Sequence, residues 1–154
     1  MELSFGEARS GIGGGSCQIS LIHWITLHTP LVITERSNHS FDPFPDCGRV
    51  LPFGSGAALF YNFIDLMLYN PSSSSFQINL WITAKTLEGE IRSNNFLAKK
   101  YHVYEKDHAF INIENNTYRR NEIWRDTFSK GHHKTLLVSE ILYSNFSKVK
   151  YKID

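Results

Sequence analysis

The chain has 154 residues, a length that suits one globular domain, and hydrophobic residues make up 42% of it and charged residues 20%. These proportions exclude a wholly disordered protein, and a net charge of +1 gives no reason by itself to expect a nucleic-acid partner. Two cysteines, Cys17 and Cys47, are too few for a disulfide framework.

The amino-terminal segment, residues 1–16, is predicted to be a flexible arm, because the glycine-rich run Gly11–Ser16 has little to bury. Residues 17–154 are expected to form a single globular domain. The amino terminus lacks the basic and apolar regions of a signal peptide. No stretch reaches the roughly 20 apolar residues that a membrane span needs. We therefore expect an intracellular protein.

The segments on either side of Pro30 are predicted to form either one long strand with a bend or two strands around a kink. Residues 17–28 alternate in a two-residue period, and the pattern resumes at Leu31–Thr34. Residues 35–56 are rich in proline and glycine, which disfavour a regular ladder. Because this loop also carries several aromatic residues, we expect it either to be pinned to the body of the protein or to contact a partner.

The clearest helical pattern covers about residues 56–69. Its apolar positions follow the i, i+3, i+4, i+7, i+8 spacing of an amphipathic helix, at Phe60, Phe63, Ile64, Met67 and Leu68. Ser55 suits an N-cap, and the Asn70-Pro71 pair ends the pattern because the residue before a proline is pushed out of the α region.

Strand patterns dominate the middle of the chain. Phe76–Ala84 alternates as a strand, and Leu87–Glu90 is typical of a turn. Short strands are predicted at Tyr101–Tyr104 and Ala109–Ile113, with residues 105–108 as a hairpin between them.

The carboxy-terminal third mixes both patterns. Asn115-Asn116 predicts a turn, and Glu122–Lys130 predicts a short helix that stops at Gly131. Leu136–Tyr143 fits a helix or a strand equally well. Ser147–Ile153 alternates as a strand with three lysines on one face.

Together these elements predict an α+β fold: a mostly antiparallel sheet with one amphipathic helix, about 56–69, packed on it. The alternative is an all-β sandwich or jelly roll in which that helix lies in a long connection. The helix discriminates between the two, because its apolar face must be buried against a sheet or a neighbouring subunit.

The sequence offers little for catalysis or cofactors. No histidine or cysteine spacing matches a metal site, so neither a metal nor a cofactor is expected. The Gly54-Ser55-Gly56 stretch departs from the spacing of a nucleophile elbow, and Cys47 has no activating neighbour in the sequence. A small hydrolase that uses Cys47 or Ser55 remains an alternative, whereas a non-enzymatic protein is favoured.

Basic residues are concentrated in the second half of the chain. Residues 1–84 carry three basic and six acidic residues, whereas residues 85–154 carry 13 and nine. Rows of cations suit lipid headgroups or nucleic acid, although exposed lysines also protect strand edges from aggregation. The predicted surface for anions comprises Lys99, Lys100, Arg119, Arg120, Lys148, Lys150 and Lys152.

Residues 31–82 run as a strand, an Arg36-Ser-Asn-x-x-Phe41 stretch, a proline-rich link, a helix with Ala57-Ala58 and a further strand. This order resembles the core of rhabdovirus matrix proteins. The resemblance implies a non-enzymatic protein that self-associates, packs on nucleocapsid and touches the inner membrane leaflet.

The favoured function is therefore that of a structural, self-assembling protein of the viral matrix or capsid-associated kind, found in the virion and in the host cytoplasm or at the membrane periphery. Its partners would be copies of itself, an anionic membrane surface, or nucleocapsid and RNA, with no small-molecule substrate. Phe41, Phe44 and Phe53 would mediate self-association.

The alternative function is that of an extracellular-type β-domain that binds a glycan or another protein. In this case Trp24, Trp81 or Trp124 would offer a stacking platform for sugar. Use of the glycosylation sequons at Asn38, Asn115 and Asn145 would favour it.

Overall fold

The structure is a computed structural model that describes residues 2–4, 7–9, 16–47, 50–60, 62–131 and 134–153. Most of its regular structure is β-strand. A 3₁₀ helix at Ser16–Ser20 leads directly into the helix α1 at Leu21–Leu27. The strands, in chain order, are β1 (Glu2–Ser4), β2 (Glu7–Arg9), β3 (Val32–Glu35), β4 (Phe41–Asp42), β5 (Met67–Tyr69), β6 (Phe76–Ile82), β7 (Leu87–Ser93), β8 (Lys99–Ile113), β9 (Asn116–Ser129) and β10 (Leu136–Val149).

The largest sheet has the strand order β4-β10-β9-β8. Its three long strands pair antiparallel, and the short β4 lies parallel to the end of β10. Glu114 and Asn115 have positive φ angles between β8 and β9, which confirms the predicted turn. Three smaller antiparallel pairs join β1 to β2, β3 to β5 and β6 to β7.

One face of the main sheet is buried, and the inward side chains of β9 show that this face has an apolar part and a polar part. Arg119, Asn121 and Ile123 alternate inward along this strand. Ile123 packs with Leu27 of α1 and Val103 of β8 in the apolar core. The same sheet face is therefore apolar near α1 and polar towards the end of β9 that carries Arg119.

The predicted strand at residues 17–28 is wrong, because this segment forms the 3₁₀ helix and α1. Its buried side chains, His23, Thr26 and Leu27, follow helical spacing. Since α1 packs on β3 and β7 as well as on the sheet, apolar residues occupy several of its faces and imitate the two-residue period. The strand predicted just after it is confirmed as β3.

The predicted helix at about 56–69 is also wrong. Asn62 has φ 63°, which interrupts a right-handed helix. The backbone N–H of Ala58 donates to the carbonyl of Ser37 at 2.8 Å, and β5 pairs with β3. Pairing with distant strands therefore uses the backbone groups that a helix would need. The structure is mostly β with one short helix, α1, and is compatible with both the α+β fold and the all-β alternative.

Three further local predictions are corrected by strand pairing. Leu87–Glu90 belongs to β7, and Glu122–Lys130 falls almost wholly within β9. Residues 105–108 do not turn back, because β8 continues through them with a register shift between Lys106 and Ala109 and a positive φ at Asp107. The predicted strand at Phe76–Ala84 is confirmed as β6, and the undecided segment 136–143 is part of β10.

The predicted arm at residues 1–16 is described only in part. Its strands β1 and β2 pair antiparallel, and most of its glycine-rich run lies outside the described residues. In the part of the chain that the structure describes, no helix has the length and apolar character that a membrane crossing requires.

Candidate ligand-binding site

A pocket of about 560 Å³ opens at the polar end of the main sheet. Its walls come from the segment after β3, the proline-rich segment after β4, the loop at residues 51–56 and the end of β10. The aromatic, proline and leucine side chains make the walls mainly apolar. The pocket is lined by both apolar and polar residues, which include Arg36, Phe41, Phe44, Leu51, Asn145 and Ser147.

A buried arginine ties the sheet to the proline-rich wall through Asp42, which is 1% exposed, and Asp46, which is 52% exposed. The Arg119 side chain is 2% exposed, and its Nη1 donates to Asp42 at 3.2 Å and to Asp46 at 2.7 Å. Nη2 donates to the second Asp46 oxygen at 2.8 Å, and the Tyr151 hydroxyl donates to Asp42 at 2.8 Å. Burial lowers the pKa of Arg119, but the bonds to Asp46 and Asp42 outweigh it, so the pKa is raised overall.

Two asparagines hold the opposite wall. Asn121 donates through Nδ2 to the Phe53 carbonyl at 2.6 Å and to Glu105 at 2.5 Å, and Asn145 donates to Asn121 Oδ1 at 2.9 Å. The Asn145 side chain lies against Gly54, which has φ +70°. The loop at 51–56 is therefore clamped to β9 and β10 by amide contacts that need the left-handed glycine.

Substituting Gly54→Ala should lower the free energy of unfolding by at least about 2 kcal/mol. An alanine Cβ would lie 2.2 Å from Asn145 Cγ and would force a side chain into a left-handed backbone conformation. Urea unfolding measures the change.

The matched control is Gly56→Ala in the same loop. A Cβ there would lie 3.2 Å from the Ser20 hydroxyl oxygen, so the cost should stay below about 1 kcal/mol. Equal losses for the two substitutions would contradict the proposed role of Gly54.

His23 of α1 holds the inner side of the same loop. Its Nδ1 donates to the Ser55 carbonyl at 2.6 Å, so Nε2 is the acceptor and receives the Tyr143 hydroxyl at 3.1 Å. Burial, with a smaller contribution from the charge of Arg36, lowers the pKa of His23 to about 4, although the bond to Ser55 opposes the shift. His23 is therefore neutral at physiological pH and acts as a clamp.

Arg36 lies between this clamp and the pocket. Its Nε donates to the Gly56 carbonyl at 2.8 Å, and Nη2 donates to the Gly54 carbonyl. The guanidinium carbon lies 4.2 Å from the centroid of the Tyr143 ring. These contacts fix the guanidinium plane at the pocket wall.

The predicted cations do not form one surface. The prediction that Arg119 lies on an exposed surface is wrong, because its side chain is buried and contacts two carboxylates. Lys99 pairs in register with Ser129 and Lys148 with Tyr118, so β9 separates the two lysines by about 36 Å at about 3.3 Å per residue. Lys100, Arg120, Lys150 and Lys152 are exposed. β10 ends at Val149, so the three final lysines do not share one strand face.

The predicted self-association residues divide in the same way. Phe41 is 50% exposed and Phe44 69% exposed, and both line the pocket. Phe53 is 5% exposed, and its ring lies 4.7 Å from the Arg119 guanidinium. The prediction that Phe53 contacts a second molecule is therefore wrong, because Phe53 packs inside the domain.

The residues considered as nucleophiles, as a stacking platform for sugar or as metal ligands do not lie together in one site. Cys47 lies exposed at the pocket wall, whereas the Ser55 hydroxyl is buried and donates to the Pro52 carbonyl at 2.6 Å. None of the three tryptophans lines the pocket. Among the described residues, no group of three or more His, Cys, Asp or Glu side chains is placed to hold a metal ion.

The sequence patterns do not indicate His23 and Arg36 as site residues. His23 lies in a segment predicted to be a strand, and Arg36 lies in the more acidic half of the chain. The one available signal was the concentration of proline, glycine and aromatic residues at 35–56, which did mark the segment that forms most of the pocket.

Comparison with known proteins supplies the family. A family model described as "VanW like protein" matches residues 1–92. The chain is also 26% identical over 149 residues to the vancomycin B-type resistance protein VanW of Enterococcus faecalis. That alignment covers 96% of this chain and 54% of the relative, so the chain spans about half the length of the curated relative it matches. No solved structure matches the chain.

These matches overturn the predicted resemblance to rhabdovirus matrix proteins. The viral structural function, the capsid or matrix role and the location in a virion fall with it, because they depended on that resemblance. The family match includes Arg36 and the loops that wall the pocket, and β9 and β10 lie beyond it. Since the matched region is more than half of its length, the chain belongs to the family of VanW-like proteins.

Proposed function

We propose that this chain is a ligand-binding domain without catalytic activity, and that the pocket at the polar end of the main sheet is its binding site. The observation that carries the proposal is the pocket itself. Its volume of about 560 Å³ falls within the range of roughly 300–1,000 Å³ that is typical of small-molecule sites.

The pocket combines an apolar rim with polar contacts that hold its walls, as is typical of a binding site. Exposed apolar side chains such as Phe41 and Phe44 form its rim, and aromatic surface of this kind supplies contact area for a ligand. Behind the rim, the Arg119 ion pair and the Asn121–Asn145 contacts hold the walls in place. A pocket shaped in advance loses less entropy when a ligand binds.

The polar groups nearest to Ser55 support binding over acyl transfer. A serine nucleophile needs its hydroxyl within hydrogen-bond reach of a base. Here the hydroxyl donates to the Pro52 carbonyl, and His23 contacts the Ser55 carbonyl oxygen instead. The histidine and serine therefore stabilise a loop and do not form a nucleophile–base pair.

The similar protein of Enterococcus faecalis is named for B-type resistance to vancomycin. We extend that role to this chain as part of the proposal: the domain serves resistance by binding a ligand in its pocket. The inhibitory concentration of vancomycin should fall when a resistant host carries the chain with Phe41→Ser in place of the unaltered chain. Equal concentrations for the two chains would contradict the resistance role.

Binding itself can be tested with N-phenyl-1-naphthylamine, an uncharged apolar dye whose fluorescence rises in apolar sites. Phe41→Ser should weaken dye binding about fivefold, because it removes roughly 1 kcal/mol of apolar contact from the rim. Fluorescence titration gives both dissociation constants.

The matched control for this titration is Phe96→Ser, since Phe96 is fully exposed and lies outside the pocket. Unchanged dye affinity in Phe41→Ser, or an equal loss in both variants, would contradict the pocket as the binding site.

A further inference from the structure

Arg36 has donors that its structural contacts do not use. A guanidinium carries five N–H donors, and the Gly54 and Gly56 carbonyls each accept one hydrogen bond from Nη2 and Nε. Nη1 has no partner among the described residues. One end of the guanidinium therefore remains available at the pocket wall.

The charge of Arg36 is also uncompensated. No carboxylate among the described residues lies within 4.0 Å of its nitrogens, whereas Arg119 in the same region contacts Asp42 and Asp46. Burial lowers the pKa of Arg36, although its interaction with Tyr143 opposes the shift. For Arg119, where carboxylates are present, the overall shift is upwards. Within the part of the chain that the structure describes, the two arginines thus differ in whether a carboxylate pairs with them.

A half-buried cation without a counter-ion is unfavourable unless something compensates it. The planar face of Arg36 is fixed on Tyr143 and its inner donors are fixed on two carbonyls, so its orientation does not depend on a ligand. Guanidinium groups recognise carboxylates and phosphates through paired N–H donors. The apolar rim formed by Phe41 and Phe44 lies in the same pocket.

We propose that Arg36 binds an oxyanion, a carboxylate or a phosphate, carried by a ligand whose apolar part contacts Phe41 and Phe44. This inference rests on the proposed function, because it names the chemistry of the ligand that the pocket takes.

The test compares two dyes that share one scaffold. N-phenyl-1-naphthylamine is uncharged, and 1-anilinonaphthalene-8-sulfonate adds an anionic group to it. Arg36→Gln should weaken binding of the anionic dye about tenfold, because charge-assisted hydrogen bonds are worth roughly 1.5 kcal/mol or more. The affinity for the uncharged dye should change less than twofold. Arg36→Lys retains a positive charge and should keep most of the preference for the anionic dye.

A competition experiment on the unaltered protein covers the case in which Arg36→Gln disturbs the loop at Gly54 and Gly56. Decanoate, decyl phosphate and decanol each have ten carbons in an unbranched chain and differ in the head group. Stronger displacement of the anionic dye by decanoate assigns a carboxylate, and stronger displacement by decyl phosphate assigns a phosphate. If neither anion displaces it better than decanol does, the role of Arg36 is overturned.

The two proposals fail differently. If Phe41→Ser leaves binding of the uncharged dye unchanged, the pocket is not the binding site and the proposed function fails. If Phe41→Ser weakens that binding while Arg36→Gln leaves the ratio of the two dye affinities unchanged, the pocket binds apolar ligands and only the oxyanion site is wrong.

Discussion

Replacing Arg119 with methionine is expected to lower the free energy of unfolding by about 3–5 kcal/mol near neutral pH. The substitution keeps an unbranched apolar stem but removes the guanidinium that contacts Asp42 and Asp46. Asp42 is 1% exposed and remains buried after the change, so the loss includes the cost of keeping a carboxylate in the interior without this cation. Urea unfolding, analysed by linear extrapolation, measures the difference.

Arg125→Met is the matched control, because Arg125 lies on the same strand and forms an ion pair of the same length. Its Nη2 is 2.7 Å from Glu140, but the two side chains are 20% and 41% exposed. Partly solvated pairs are worth roughly 0–1 kcal/mol, so the control should lose at most about 1 kcal/mol. Losses of similar size in the two variants would show that burial of the Arg119 pair does not decide its contribution.

Arg119→Met should also report on the pocket. The ion pair holds the proline-rich segment against β9, so its loss loosens the pocket wall that carries Phe44. We expect weaker binding of N-phenyl-1-naphthylamine at temperatures where the variant is still folded, whereas Arg125→Met should leave dye binding unchanged.

The parts of the fold that were predictable from sequence are those fixed by local patterns. β6 was predicted because apolar and polar residues alternate along Phe76–Ala84 in the two-residue period of a strand. The turn before Asn116 was predicted because Asn tolerates the left-handed conformation that Asn115 adopts. In both cases neighbouring residues determine the conformation, so one sequence window is enough.

The errors occur where distant segments decide. α1 is surrounded by β3, β7 and the main sheet, so its apolar residues do not keep to one stripe. The segment at 56–69 has the stripe of a helix, but its backbone pairs with Ser37 and with β3 instead. In both cases tertiary contacts override the local period, and a single sequence does not reveal them.

The site shows the same limit in its charges. Arg119 and Arg120 are adjacent in the sequence, and strand alternation directs one inward and the other to solvent. The carboxylates that make Arg119 a structural residue come from Asp42 and Asp46, 77 and 73 positions away. The surplus of basic residues in the second half therefore does not indicate Arg36, a pocket cation in the first half that has no carboxylate partner among the described residues.

Acidification should destabilise the protein through His23, by about 3 kcal/mol between pH 6.5 and pH 4. The folded state holds the pKa of His23 at about 4, mainly because the ring is buried, against 6.5 for the ordinary value. Between these pH values the unfolded chain binds a proton at this site that the folded chain does not. The contribution of neutral His23 to stability is therefore fully present above pH 6.5. This contribution falls as the pH is lowered and is lost completely below about pH 4.

His23→Gln isolates this contribution, since burial also lowers the pKa of His28 and adds a loss of the same sign. The substitution should be destabilising at pH 7.5, because it disturbs the contacts to Ser55 and Tyr143, but its free energy of unfolding should fall less steeply between pH 6.5 and 4. The comparison uses urea unfolding at several pH values and takes the difference in slope. Parallel curves for the two proteins would show that His23 is not held neutral by its burial. A slope difference of about 3 kcal/mol over this range would show that protonation of His23 opposes the contacts that fix the loop at residues 51–56.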